Sequence, residues 1–180
     1  RDDDNAASRT ERIDAAIDCL LRGITEGRQV IRGVRTAVLD DLGLVPAIQD
    51  VVEQLEAVPV QVTTSLDDDL NTLPPSLQTT VFRLVQEALT NIRKHSTAHH
   101  AEVEVHRMGD DVRVRVRDFG CGFDVDESRK HGFGLTGMME RVRLAGGTFR
   151  VESQPGAGTE IVALLPIAAA ADHAESAIRP

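Results

Sequence analysis

Several features that mark other protein classes are absent from this 180-residue sequence. It contains only two cysteines, Cys19 and Cys121, with no CxxC pair, which suits a reducing cytosol and provides no zinc motif. No apolar run approaches the roughly 20 residues of a membrane-spanning helix, and no signal peptide is visible. Acidic residues outnumber basic ones to give a net charge of −9, which argues against a nucleic-acid-binding surface. We therefore expect a cytoplasmic chain, or the cytoplasmic part of a membrane-anchored parent protein.

The motifs of three nucleotide-binding classes are also missing or out of context. There is no GxxxxGK[ST], which excludes a P-loop. Residues 118–120 spell D-F-G, the metal-binding triplet of protein kinases, but H-R-D and V-A-I-K are absent. Residues 132–137 fit GxGxxG, but polar, loop-like residues precede them where a dinucleotide fold requires a strand. The protein-kinase and dinucleotide-binding folds are therefore excluded.

The residues that are present predict a single domain with a substantial core, because 41% of them are hydrophobic. Short turns between neighbouring strands imply an α+β fold, a two-layer α/β sandwich with a mixed, largely antiparallel sheet and helices on one face. The helices predicted from apolar periodicity span 8–39, 44–58, 74–96 and 135–147. The strands predicted from alternating residues span 58–66, 101–108, 112–118, 148–153 and 159–166.

The long N-terminal helix carries one apolar stripe that it cannot bury alone. A partner helix, from this chain or from a second subunit, would cover it. The alternative is that the helix packs on its own domain.

A polar face on the helix at 74–96 is a candidate site. Spacings of four and three place Glu87, Asn91 and either Lys94 or His95 on one side of the helix. Glutamate and asparagine oxygens can hold Mg²⁺ directly or through water, and Lys94 can neutralise phosphate charge. The alternative is an ordinary solvated face with ion pairs between residues four apart.

Glycines at alternate positions follow the strand that ends at Asp118. Gly120 and Gly122 leave no side chains, so a ligand ring can lie against the backbone. Asp118 can accept a hydrogen bond from the amino group of a base, or it can simply form an Asx-turn. Further on, the glycine-rich loop leads into a helix whose first N–H groups can bind phosphate.

Four segments in this order resemble the ATP-binding domain of bacterial sensor histidine kinases, a Bergerat-type fold shared with gyrase, Hsp90 and MutL. They are QEALTNIRKHS (86–96), RDFGCGF (117–123), HGFGLTGMMERVRLAGG (131–147) and GTEIVALLP (158–166). Upstream, VIRGVRTAVLDDLGLVPAIQDVV (30–52) resembles the linker of the subfamily that pairs with NarL/LuxR-type response regulators. The resemblance covers roughly residues 10–165, and the order of the four motifs makes it specific.

The resemblance implies that the chain binds ATP or ADP with Mg²⁺. Asn91 would coordinate Mg²⁺, and Glu87 would orient a metal-bound water or assist the phosphoryl acceptor. Lys94 and His95 would lie near the phosphates.

The resemblance also implies an adenine pocket. Asp118 would bond the adenine amino group, with Thr159 backing the base beside it, and Gly120 and Gly122 would shape the pocket. The other implied nucleotide-binding positions are Gly132 and Gly134, which would flank a short mobile lid at about 123–131, and Leu135.

The sequence departs from this family at the phosphoacceptor. Family members phosphorylate a histidine in a segment such as E-x-H-D, and none of the six histidines here has that context. The helix at 8–39 resembles the second helix of the family's dimerisation hairpin, with the first helix missing. Because the chain begins with Arg1 rather than Met, we expect a longer parent protein. The resemblance to the dimerisation hairpin implies that this parent forms a homodimer. Since the acceptor histidine is missing here, we expect this chain to bind ATP without phosphorylating itself.

The resulting hypothesis is the ATP-binding catalytic portion of a two-component sensor kinase, a transferase. It would pass the γ-phosphate to a histidine outside this chain and then to an aspartate of a NarL/LuxR-type regulator. The alternatives are an anti-sigma-type serine kinase and a nucleotide-responsive binding module without transfer activity. The expected division is a dimerisation helix (1–40), a linker with a short helix (41–57), the ATP-binding domain (58–166) and a flexible tail (167–180).

Overall fold

The computed structural model describes residue 39 and residues 41–56, 60–125 and 133–168. Three predictions concern residues outside these ranges. They are the long helix over 8–39 except its last residue, the lid from residue 126 onward together with Gly132, and the tail beyond residue 168.

Within the described ranges, helices and strands form one layer each. The helices are α1 (Leu44–Glu56), α2 (Pro75–His95) and α3 (Phe133–Leu144), with a 3-10 helix at Asp68–Thr72. The strands are β1 (Gln61–Leu66), β2 (His100–Met108), β3 (Asp111–Asp118), β4 (Thr148–Ser153) and β5 (Thr159–Pro166). Their order in the sheet is β1-β2-β3-β5-β4. Only the β1–β2 pair is parallel among these strands, which confirms the predicted mixed, largely antiparallel sheet.

Helix α2 is the central helix of the layer. Pro75 stands in its first turn, where a missing N–H costs no hydrogen bond, and Arg93, Lys94 and His95 stand in its last turn, where they suit the helix dipole. The apolar periodicity that predicts this helix forms one face, and every member of that face is buried. That face comprises Leu77, Val81, Leu84, Val85, Ala88 and Ile92, joined by Phe82 and Leu89.

The alternation of β3 places a carboxylate on the inner face of the sheet. Val112, Val114 and Val116 point into the core, and the same period of two carries Asp118 to the inner face at the end of the strand. The intervening arginines lie on the opposite face.

The segment that precedes β1 packs in the same core. Leu44, Ile48 and Val52 of α1 are buried in the cluster that contains the apolar face of α2. Asn71, far along the chain, accepts a hydrogen bond at Oδ1 from the backbone N–H of Val45 at 3.2 Å, so its side chain satisfies one of the free donors in the first turn of α1.

The segment between β1 and α2 contains a turn of 3-10 helix, which the sequence analysis did not anticipate. Asp68 and Asp69 are exposed in this turn. Leu70 and Leu73, however, are buried in the core and draw the chain inward. Tightening the backbone into hydrogen bonds three residues apart lets both leucines reach the core.

None of the helices in the described part of the chain combines the length and the apolarity that a membrane span requires.

The outer face of the sheet is held by one arginine and three glutamates. Arg115 on β3 pairs with Glu102 at 3.1 Å, Glu104 at 2.7 Å and Glu160 at 2.7 Å. Burial by itself lowers the pKa of Arg115, but the hydrogen bond to Glu160 and the charges of the three glutamates outweigh it and raise the pKa. Arg115 on β3 is therefore a cation shared by two carboxylates of β2 and one of β5, and it offsets part of their mutual repulsion.

Replacing Arg115 by methionine should destabilise the fold, because it keeps the side-chain length but leaves three carboxylates without their shared cation. We expect the free energy of unfolding to fall by about 1–3 kcal/mol, as for other lost partners of charged groups. Sodium chloride should recover part of this loss by screening the carboxylates. Urea denaturation at low and high salt measures both effects. Arg113→Met, on the same strand, is the control, and an equal salt response of the two variants would contradict this account.

Candidate functional site

Asp118 lies at the end of β3 and is the only charged or polar side chain that is buried among the described residues, with 5% of it exposed. Its Oδ1 accepts hydrogen bonds from the hydroxyl of Ser96 at 2.7 Å and from the backbone N–H of Gly120 at 2.9 Å. A buried carboxylate without such donors would be strongly unfavourable. These bonds hold the side chain in one orientation.

Ser96 was not among the predicted site residues. It follows directly after α2, and its Oγ also accepts a hydrogen bond from the backbone N–H of Ala98 at 3.1 Å. The only sequence signal for it is its place at the end of the segment QEALTNIRKHS, 22 residues before Asp118.

Glycine is required at two positions after Asp118. A Cβ at Gly120 would collide with Oγ of Ser96 and lie 2.9 Å from the backbone nitrogen of Ala98. Gly122 has φ of +55° in the left-handed region, and a Cβ there would collide with the backbone oxygen of Gln154. The backbone of 118–122 therefore packs closely between the end of α2 and the turn between β4 and β5.

Thr159 and Ser153 lie beside Asp118 on the inner face of the sheet. Thr159 is the register partner of both Asp118 on β3 and Ser153 on β4. The hydroxyls of Ser153 and Thr159 are 3.1 Å apart, and Oγ of Ser153 accepts a hydrogen bond from the backbone N–H of Phe123 at 2.9 Å. Ser153, which the sequence analysis missed, thus ties the loop after Gly122 to the sheet.

A second group of predicted residues meets at the other end of the site. Glu87 and Asn91 are half-buried, one turn apart on α2, and both face Gly134 near the start of α3. A Cβ at Gly134 would lie 2.9 Å from Oε1 of Glu87 and 3.5 Å from Oδ1 of Asn91. Leu135, the next residue of α3, is half-buried and packs against the core.

Two predicted residues are more loosely placed. Lys94 and His95 have exposed side chains in the last turn of α2. The carbonyl oxygen of His95 accepts a hydrogen bond from Sγ of Cys121 at 3.2 Å, so its backbone, rather than its ring, contacts the loop after β3.

Both groups of residues lie on α2 or directly after it. Nine residues separate Glu87 from Ser96, a rise of about 13 Å along a helix. The arrangement suits an elongated ligand that offers a hydrogen-bond donor to Asp118 and an anionic group toward Glu87 and Asn91. The described residues form no cluster of three or more His, Cys, Asp or Glu side chains able to hold a metal ion.

Magnesium nevertheless fits the end of the site at Glu87 and Asn91. The ion binds through one or two protein oxygens and completes its shell with water and substrate phosphates. Oδ1 of Asn91 and the carboxylate of Glu87, which lie around the same point near Gly134, are oxygen donors of the required kind.

Comparison with known proteins gives consistent results. Residues 76–169 match the family model described as histidine kinase-, DNA gyrase B-, and HSP90-like ATPase. The chain is 36% identical over 150 residues to the signal transduction histidine-protein kinase/phosphatase DegS of Brevibacillus brevis, which covers 80% of this chain and 38% of that protein. It is 34% identical over 143 residues to the sensor protein VraS of Staphylococcus aureus, which covers 79% of this chain and 41% of that protein. The chain thus spans less than half the length of these relatives.

Solved structures show the same fold. The histidine kinase domain of the blue-light activated histidine kinase of Erythrobacter litoralis aligns with a TM-score of 0.60 at 20% identity, covering 70% of this chain and 60% of that one. The Acinetobacter baumannii histidine kinase AdeS aligns with a TM-score of 0.57 at 13% identity, covering 84% and 83%. These alignments agree with the resemblance seen in the motifs, and the family model covers more than half of the sequence. The chain therefore belongs to the family of histidine kinase-, DNA gyrase B- and HSP90-like ATPases.

Proposed function

We propose that this chain is the ATP-binding catalytic portion of a two-component sensor histidine kinase. The observation that carries the proposal is the buried carboxylate of Asp118, which two protein donors hold by one oxygen at the glycine-lined end of the sheet. The family of the chain, and the names of its relatives as sensor kinases, support the same conclusion.

The base end of the site suits adenine. An ionised carboxylate only accepts hydrogen bonds, and the adenine 6-amino group only donates them. Gly120 and Gly122 let the backbone after Asp118 pack against Ser96 and the turn after β4, and the resemblance implies that a planar base lies beside this backbone. Thr159, in register with Asp118, would back the base.

The phosphate end comprises the polar edge of α2 and the start of α3. Asn91 would hold Mg²⁺ together with the phosphates, and Lys94 would balance their charge. When bound, the ion would neutralise charge that develops on the transferred phosphoryl group. Glu87 would accept a hydrogen bond from the imidazole N–H of an incoming histidine, which leaves the other ring nitrogen as the nucleophile.

The acceptor histidine would lie outside this chain, on a preceding helix of the parent, and phosphate would pass from it to an aspartate of a NarL/LuxR-type response regulator. The resemblance of the linker to that subfamily supports this choice of partner. In the same proposal the parent is a cytoplasmic or membrane-anchored homodimer, with residues 1–40 in its dimerisation region and 58–166 as the ATP-binding domain.

Calorimetric titration with ADP and Mg²⁺ tests the base site. The wild-type chain should bind, and Asp118→Asn should bind about 10–100-fold more weakly, because an amide NH₂ would oppose either the protein donors or the base amino group. Asp110→Asn, in the exposed turn between β2 and β3, removes the same charge and should bind like wild type. Absence of binding by the wild-type chain at millimolar ADP would sink the proposed function.

The same titration with and without Mg²⁺ tests the metal position. Asn91→Ala should lose most of the gain in ADP affinity that Mg²⁺ provides, while its affinity without Mg²⁺ should remain near that of wild type. Gln49→Ala, an exposed amide on α1, is the control. If Mg²⁺ raises the ADP affinity of Asn91→Ala as much as that of wild type, residues other than Asn91 hold the metal.

Gly134→Ala tests the proposed position of Glu87. Alanine favours a helix over glycine by about 0.5–1 kcal/mol, so the thermal stability of the chain should not fall. The new methyl group should nevertheless push the Glu87 carboxylate aside and slow phosphoryl transfer in the full-length parent several-fold. Gly137→Ala, on the same helix with open space around it, should leave transfer unchanged. Equal rates for the two variants would remove Glu87 from the mechanism.

A further inference from the structure

We infer that Ser96 is a positioning residue that makes the proposed base site selective for purines with a 6-amino group. The inference rests on the proposed function and extends it to a residue that follows the polar edge of α2. It concerns the direction of each hydrogen bond around Asp118 rather than the carboxylate alone.

The hydrogen bonds around Ser96 have only one consistent direction. The backbone N–H of Ala98 donates to Oγ of Ser96 at 3.1 Å, because an amide N–H cannot accept. The Ser96 hydroxyl must therefore use its own hydrogen elsewhere, and it lies 2.7 Å from Oδ1 of Asp118. Gly120 donates its N–H to the same oxygen at 2.9 Å.

Two donors on one oxygen leave the other oxygen for the ligand. Both hydrogen bonds that the described residues donate to the Asp118 carboxylate end on Oδ1. Oδ2 is then the acceptor that a base would meet. An amino group at position 6 of a purine can donate a hydrogen bond to Oδ2. An oxo group at that position would instead place a second acceptor against Oδ2, with no hydrogen between them.

The neighbouring backbone leaves space for this hydroxyl. A Cβ at Gly120 would collide with Oγ of Ser96, so the glycine and the serine fit each other at this point. Without the hydroxyl, the N–H of Gly120 would be the only one of these donors left on Asp118. The carboxylate could then rotate and offer the base a less fixed acceptor.

Titrations with ADP and inosine diphosphate test the inference, because these ligands differ only in the group at position 6 of the purine and in the hydrogen on the adjacent N1. Ser96→Ala should weaken ADP binding about 5–10-fold, the effect of one lost charge-assisted hydrogen bond, and leave inosine diphosphate binding nearly unchanged. Ser96→Thr keeps the hydroxyl and should restore the wild-type preference for ADP. Thr97→Ala, at the exposed next position, should behave like wild type.

The outcomes separate this inference from the proposed function. If Ser96→Ala weakens the binding of ADP and inosine diphosphate equally, or weakens neither, the role of Ser96 is overturned. ADP binding by the wild-type chain would still support the nucleotide site in that case. A wild-type chain that binds ADP and inosine diphosphate equally well would also overturn this inference, but not the proposed function. A wild-type chain that does not bind ADP would overturn both. Ser96→Cys, which keeps a weaker donor in a somewhat larger side chain, should give an intermediate preference and removes dependence on the folding of Ser96→Ala.

Discussion

The burial of the Asp118 carboxylate is the constraint on which the rest of the site depends. A buried charge is tolerated only when donors surround it, and the chain supplies them from the end of α2 and from the turn after β3. Gly120 must lack a side chain so that the Ser96 hydroxyl can approach. The position of one carboxylate thus fixes residue types at two other positions.

The same few residues organise the fold and the site. The period of two in β3 directs three valines inward, places Asp118 next in that row, and sends Arg115 to the three outward glutamates. The apolar face of α2 fixes that helix against the sheet, which brings Ser96, directly after the helix, to the end of β3. Site geometry is therefore a consequence of core packing.

The sequence predicts those features that depend on the period of a single element. The apolar face of α2, the inward valines of β3 and the position of Asp118 at a strand end could be predicted in this way. Ser96, Ser153 and Asn71 could not, because their partners lie 22, 30 and 26 residues away and depend on how elements pair. The 3-10 turn was missed for a similar reason, since the burial of Leu70 depends on the core beneath it. The roles of the predicted site residues toward a nucleotide remain predictions.

The inner row of β3 also supports the proposal that Asp118 binds a ligand. A fourth apolar side chain after Val112, Val114 and Val116 would continue the row without the desolvation cost of a carboxylate. Two donors on Oδ1 reduce that cost, but Oδ2 gains no comparable bond from the described residues. A local choice that costs stability is typical of a functional position. In the proposed site, a ligand donor at Oδ2 would add to the two hydrogen bonds that the fold provides at Oδ1.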